Sequence, residues 1–369
     1  MADPFHASPA MSAIHVPYPA LTFKAGQRAL AHIREQGLRA IDVGIVPGAA
    51  GGPKPLGIQG LDLALFGHWL PSAPRPRALI GASIGAWRFA SACLADPIEG
   101  LRRLATLYTE LDFAKGATLA DVSRRCEGML EALLQEGDAH ILDNAHYRLN
   151  VLVVKSRGLL ADDHRGRLGL GLSSVLADNV LGRPRLARHF ERLVLHDSRT
   201  APPLDSLDDF PSRCVPLSAA NLRQALLASG SIPMVMQGVR DLPGAGSGTY
   251  RDGGLLDYHL DLPYQGDDLV LYPHFTDKII PGWFDKGLPW RRGDAWRLRN
   301  VLLMTPSPQY LARLPFGKLP DRGDFKRFLG DAASRKRYWY TAIDESRRLG
   351  DELLELIATG RLKDRLRPL

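Results

Sequence analysis

The stretch ALIGASIGAWRFASACL, residues 78–94, decides how the chain is to be read. A short apolar run, the pattern of a buried strand, ends in Gly81-Ala82-Ser83-Ile84-Gly85 and gives way to a helical pattern. A serine with glycine two residues before and two after it, between a strand and a helix, fits a sharp turn that lifts the hydroxyl above the sheet. The following helix N-terminus favours negative charge developing there. G-x-S-x-G alone is weak evidence in a chain with 36 glycines, and an ordinary small-residue loop is the competing reading.

The surrounding pattern supports the strand–turn–helix context. Apolar segments at 39–46, 77–81, 149–154, 192–196, 268–273 and 300–304 read as buried strands. Helical patterns fall between them, at 56–70, 84–94, 118–135, 218–229 and 331–359. Such alternation predicts an α/β fold, a mostly parallel central sheet with helices on both faces. In such sheets ligands bind beyond the carboxyl ends of the strands, which is where Ser83 would sit.

With 369 residues and 45% hydrophobic content, the chain can bury a large single core. We find no internal repeat or long linker, and the expected organisation is an N-terminal extension (1–38), a catalytic core (39–265) and a C-terminal part (266–369) completing or capping the same domain. Three widely spaced cysteines, Cys93, Cys126 and Cys214, suit neither a disulfide framework nor a zinc site. The N-terminal stretch lacks the basic and apolar regions of a secretory signal, and no run approaches the roughly 18 apolar residues of a membrane span. A cytoplasmic protein is expected. The net charge of +7 favours anionic partners such as a membrane surface, but it is spread along the chain, and no nucleic acid is expected.

A serine of ordinary pKa needs a base and an oxyanion site. Two glycine-rich turns are candidates. In VPGAAGGPKPLGIQG (residues 46–60) a strand runs into a turn that opens a helix, and the N–H groups of Gly51 and Gly52 are free to approach an anion. A nucleotide-phosphate loop is disfavoured, because Pro53 precedes Lys54 where glycine is required and Pro55 follows it where Ser or Thr is required. In TYRDGGLLDYHLDLPY (249–264), Asp252 precedes Gly253 and Gly254, which would let its loop come close to another turn; a plain hairpin turn is the alternative.

Taken together, a Gly-rich turn with a basic residue, G-x-S-x-G and a late Asp-Gly-Gly, in that order, resemble the patatin-like phospholipases. LRQALLASGSIPMVM (222–236) is similar to the helix and Ser/Pro segment that precedes the family's aspartate. The resemblance spans roughly residues 39–262. It implies a three-layer patatin-like fold and lipid acyl hydrolysis by a serine–aspartate dyad without a catalytic histidine, cofactor or metal. It makes Ser83 the nucleophile, Asp252 the base, Gly51 and Gly52 the oxyanion donors, and Lys54, Gly81, Gly85, Gly253 and Gly254 motif positions. Two departures stand out: Ala50 and Pro55 replace glycines of the Gly-rich turn, and LLDYHLDLP follows Asp-Gly-Gly where the family has a closely spaced asparagine and proline.

Other readings compete. His259, seven residues after Asp252, could serve a Ser/His/Asp triad, and His196 beside Asp197 could be catalytic or a strand-end polar pair. His140 and His146 lack convincing metal-ligand spacing. Trp283, Trp290 and Trp296 with Arg291 and Arg292 suit either a membrane interface or a packed loop. The expected function is hydrolysis of a phospholipid, lysophospholipid or other lipid ester; the alternatives are a catalytically silent lipid-binding module and an acyltransferase using the same serine.

Overall fold

The computed structural model describes residues 18–369, so the reading of the N-terminal stretch falls largely outside the described residues. Among the described residues eleven strands form one mixed sheet: β1 (Leu21–Ala25), β2 (Val43–Gly48), β3 (Arg77–Ala82), β4 (Tyr147–Ser156), β5 (Phe190–His196), β6 (Ser212–Pro216), β7 (Val239–Arg240), β8 (Thr249–Asp252), β9 (Leu269–Pro273), β10 (Val301–Pro306) and β11 (Leu366–Pro368). Their order is β11-β1-β10-β9-β2-β3-β4-β5-β6, with β8 paired to β4 and β7. The pairs from β10 through β9, β2 and β3 to β4 are parallel, whereas β5 and β8 run antiparallel to β4. Every residue of β2, β3, β9 and β10 is buried, as expected for strands covered on both faces by helices.

All six expected strands are present. The sheet also recruits β1 from the stretch read as an extension, and β9 and β10 from the C-terminal part are inserted beside β2. These segments are integral to the sheet.

Two helices expected as continuous are broken. The pattern over 56–70 resolves into a 3-10 turn (Lys54–Ile58), a helix (Gln59–Ala64) and a π turn (Leu65–Trp69). The 331–359 pattern splits at Ser346 into Ala332–Glu345 and Arg347–Ala358. Ser346 Oγ accepts the Gly60 N–H at 2.8 Å and donates to Ile343 O at 2.6 Å. This diverts a side chain into the junction of the two helices, and a Cβ on Gly60 would meet the Ser346 carbonyl at 2.2 Å.

Local capping starts two of the helices that cover the sheet. Pro97–Glu110 starts at Asp96, whose carboxylate accepts the Glu99 N–H at 3.0 Å. Leu119–Leu134 opens with a Thr118/Asp121 capping box. Behind the serine turn, Ile84–Ala92 is tied to Gln59–Ala64 by a buried ion pair between Arg88 and Asp62 at 2.8 Å.

Candidate active site

Ser83 stands between β3 and the helix Ile84–Ala92 with φ 56° and ψ −129°, a backbone conformation unfavourable for any residue with a side chain. Both flanking glycines are sterically required. A Cβ at Gly81 would lie 2.5 Å from the Ala86 nitrogen, and one at Gly85 would lie 1.9 Å from the Gly48 carbonyl oxygen. The turn is therefore the strained strand-to-helix elbow expected from the sequence.

Strand pairing brings the aspartate to it. β3 ends where Ala82 pairs with Leu152, and β8 ends where Asp252 pairs with Val153. Because β5 occupies the other edge of β4 over residues 150–156, β3 and β8 share one edge and meet head to head. Ser83 Oγ donates a 2.7 Å hydrogen bond to Asp252 Oδ2, across 169 residues of sequence.

Both side chains are buried, and each is held from a second direction. Gly254 N–H donates to Asp252 Oδ1 at 2.7 Å, and Asp252 N–H donates to Ser231 O at 3.1 Å. Ser83 N–H donates to Ser229 Oγ at 2.8 Å, and the Ser229 hydroxyl in turn donates a hydrogen bond to Leu152 O at 2.7 Å. Burial pushes the Asp252 carboxyl above its ordinary range, opposed by the Arg322 charge, the Ser83 and Gly254 hydrogen bonds and Lys286.

The glycine-rich turn after β2 reaches the same place. Ala50 N–H is committed to Tyr258 O at 3.0 Å, whereas the N–H groups of Gly51 and Gly52 make no backbone hydrogen bond among the described residues. Gly52 is left-handed (φ 61°), but Ala50 is not, so the alanine at this position carries no backbone strain. Pro55 is accommodated in the first turn of the 3-10 segment Lys54–Ile58. Gly253 packs against the Leu152 carbonyl, and a Cβ at Gly254 would come within 2.6 Å of the Ala50 Cβ.

The unusual segment after Asp252 has its own anchors. Asp257 forms a bidentate pair with Arg192, both distances 2.7 Å, and Tyr258 N–H donates to Pro281 O at 2.7 Å. The Tyr258 carbonyl is thereby positioned to receive Ala50 N–H, so this loop braces the glycine-rich turn.

Asp252 opens onto a cavity of about 320 Å³, lined on its apolar side by Leu172, Ile232, Pro233, Leu255 and Trp283. Lys54, Lys286 and Arg322 line it too. No sequence motif marks Ser229, Lys286 or Arg322 as a site residue. Ser229 lies in LRQALLASGSIPMVM (222–236), whose resemblance assigns it no role, and the two cations belong to WFDKG and PDRGDF, which match no motif.

Neither candidate histidine bonds Ser83 or Asp252. His259 is buried against the Tyr258 ring (centroids 4.3 Å apart), its Nδ1 lies 3.0 Å from Lys278 O, and burial holds its pKa well below the usual value. His196 Nδ1 faces the carbonyls of Asp197 and Thr200, and the Asp197 carboxylate is taken by Arg199. In the tryptophan loop, Arg291 is drawn inward to Asn179 O at 2.8 Å, Trp283 borders the cavity, and Trp290 and Trp296 are 67% and 58% exposed.

Comparison with known proteins agrees with this architecture. No curated protein matches the chain. A family model described as patatin-like phospholipase matches residues 64–259, more than half of the chain, a segment that holds both Ser83 and Asp252. With the mostly parallel sheet and its flanking helices, that match assigns the protein to a family: the chain belongs to the patatin-like phospholipases.

Proposed function

We propose that the protein is a lipid acyl hydrolase working through a Ser83/Asp252 dyad. The observation that carries this reading is the 2.7 Å hydrogen bond from Ser83 Oγ to Asp252 Oδ2, buried beside a partly apolar cavity. Ser83 Oγ attacks the ester carbonyl while Asp252 takes its proton, and the N–H groups of Gly51 and Gly52, with the N-terminus of Ile84–Ala92, stabilise the oxyanion. Asp252 then gives the proton to the departing alcohol oxygen as the C–O bond breaks. Water attacks the acyl-enzyme, its proton passes to Asp252, and the fatty acid leaves as Ser83 is regenerated.

A free aspartate is too weak a base for this task, with a pKa of about 3.9. Burial raises that of Asp252 and so brings it nearer to working pH. Exposed Trp290 and Trp296 and cavity-bordering Trp283 support peripheral contact of this loop with a lipid surface. A fluorophosphonate probe followed by peptide mapping tests the reading. The expected label is on Ser83 and is lost in Asp252→Asn, whereas a folded protein without label at Ser83 would be a silent lipid binder.

A further inference from the structure

The cavity holds more positive charge than the dyad needs. Lys54, Lys286 and Arg322 line it, against the carboxylates of Asp252 and Asp321. Both carboxylates are already engaged: Asp252 with Ser83 and the Gly254 N–H, and Asp321 with Lys318 at 2.6 Å and the Gly323 N–H at 2.7 Å. Among the described residues none of the three cations forms an ion pair. Instead, the Lys286 ammonium lies 4.0 Å from the Tyr258 ring centroid, and Lys54 lies 5.0 Å from that of Phe275.

Arg322 lies against the glycine-rich turn itself: a Cβ on Gly52 would fall 2.8 Å from its Nε. Both Arg322 and Lys286 act electrostatically on Asp252. Like charges gathered in a partly buried wall lose hydration and repel one another: burial first, then Lys54 and Arg322, push the Lys286 pKa down to about 7, with Asp252 opposing the shift. An anion entering the cavity removes that repulsion, and a guanidinium flanked by ammonium groups suits the several oxygens of a phosphate. Leu172, Ile232 and Leu255 line the same cavity and suit an acyl chain.

We propose that Lys286 and Arg322, with Lys54, form an anion subsite beside the dyad that selects lipid esters carrying a phosphate near the scissile bond over neutral esters. Lys286 and Arg322 lie beyond the segment matched by the family model, so these two members of the subsite come from the C-terminal part of the chain. The proposal rests on the acyl-hydrolase reading above.

The test compares kcat/KM for a 1-acylglycerol and for its 3-phosphate with the same acyl chain, both kept monomeric. The wild-type protein is expected to prefer the phosphate ester by at least 10-fold. Lys286→Met and Arg322→Met should each reduce that ratio several-fold, chiefly through KM for the phosphate ester, and Lys286→Arg should restore most of it. Equal rates on the two wild-type substrates, or variants that slow both in parallel, would overturn the subsite while leaving the hydrolase intact. Should neither ester be cleaved, the hydrolase reading fails. The subsite is then decided by calorimetry on the wild-type chain with a 1-alkylglycerol and its 3-phosphate, non-cleavable ether analogues. Tighter, salt-sensitive binding of the phosphate supports it, and equal binding refutes it. The same titration decides the matter if the variants do not fold.

Discussion

Ala82 and Asp252 are paired with consecutive residues of one strand, Leu152 and Val153. β4 is longer than β3, and its surplus residues 153–156 accept β8 on the edge that β3 vacates. The dyad is therefore held by a backbone ladder, with little reliance on long flexible side chains. Its geometry should persist without substrate.

The first expectation concerns the two groups of the proposed dyad. Ser83→Ala and Asp252→Asn should each lower kcat/KM by roughly 10³-fold or more, as in other hydrolases stripped of nucleophile or base. His196→Ala should stay within a few-fold of wild type, because its Nδ1 faces the Asp197 and Thr200 carbonyls rather than Ser83 or Asp252. A folded His196→Ala protein without activity would point to a histidine base.

Strain at the elbow gives a second test. Ser83→Gly relieves the φ 56° conformation that Ser83→Ala retains, and both variants lose the hydroxyl. The glycine variant should be more stable than the alanine variant by about 1–2 kcal/mol in chemical denaturation. An alanine variant of equal or greater stability would mean that the turn relaxes in solution.

Ser229 holds the Ser83 backbone by joining the Ser83 N–H to Leu152 O. Ser229→Ala leaves one buried donor and one buried acceptor without this partner, a loss of about 1–3 kcal/mol in stability. Its kinetic effect should fall on kcat rather than KM, since Ser229 is not among the residues lining the cavity. Steady-state kinetics in which only KM rises would contradict a positioning role.

The dyad and its cations should produce a defined pH profile. Asp252 must be ionised to accept a proton, so kcat/KM falls as pH drops through its raised pKa, above the ordinary aspartate value of about 3.9. Removing the Arg322 charge makes the carboxylate less favourable, and Arg322→Met should move this acid limb to higher pH. Lys286 is charged below about 7 and neutral above it, within a cavity that also presents Lys54, Arg322, Asp252 and Asp321. Preference for the phosphate ester should therefore weaken as pH rises through 7. An acid limb unmoved in Arg322→Met would detach that residue from the dyad.

The sequence by itself determined the strand–turn–helix around Ser83, because a strand ending in Gly-Ala-Ser-Ile-Gly leaves the backbone few ways to continue into a helix. It also determined the central strands, whose unbroken apolar runs suit only a sheet covered on both faces, and it singled out Asp252 through the ordered motifs of a family. What it could not determine depends on register and packing. That Ser83 and Asp252 meet follows from β3 and β8 sharing an edge of β4, a pairing between residues 169 apart that no local pattern encodes. The break at Ser346 follows from the approach of Gly60, a contact across 286 residues. Lys286 and Arg322 appear in sequence as ordinary surface charges. Only insertion of β9 and β10 beside β2 and the return of the following loops over Gly52 turn them into walls of the cavity. Local propensity acts over a few residues, whereas the placement of charge around the dyad is set by which distant segments the sheet brings together.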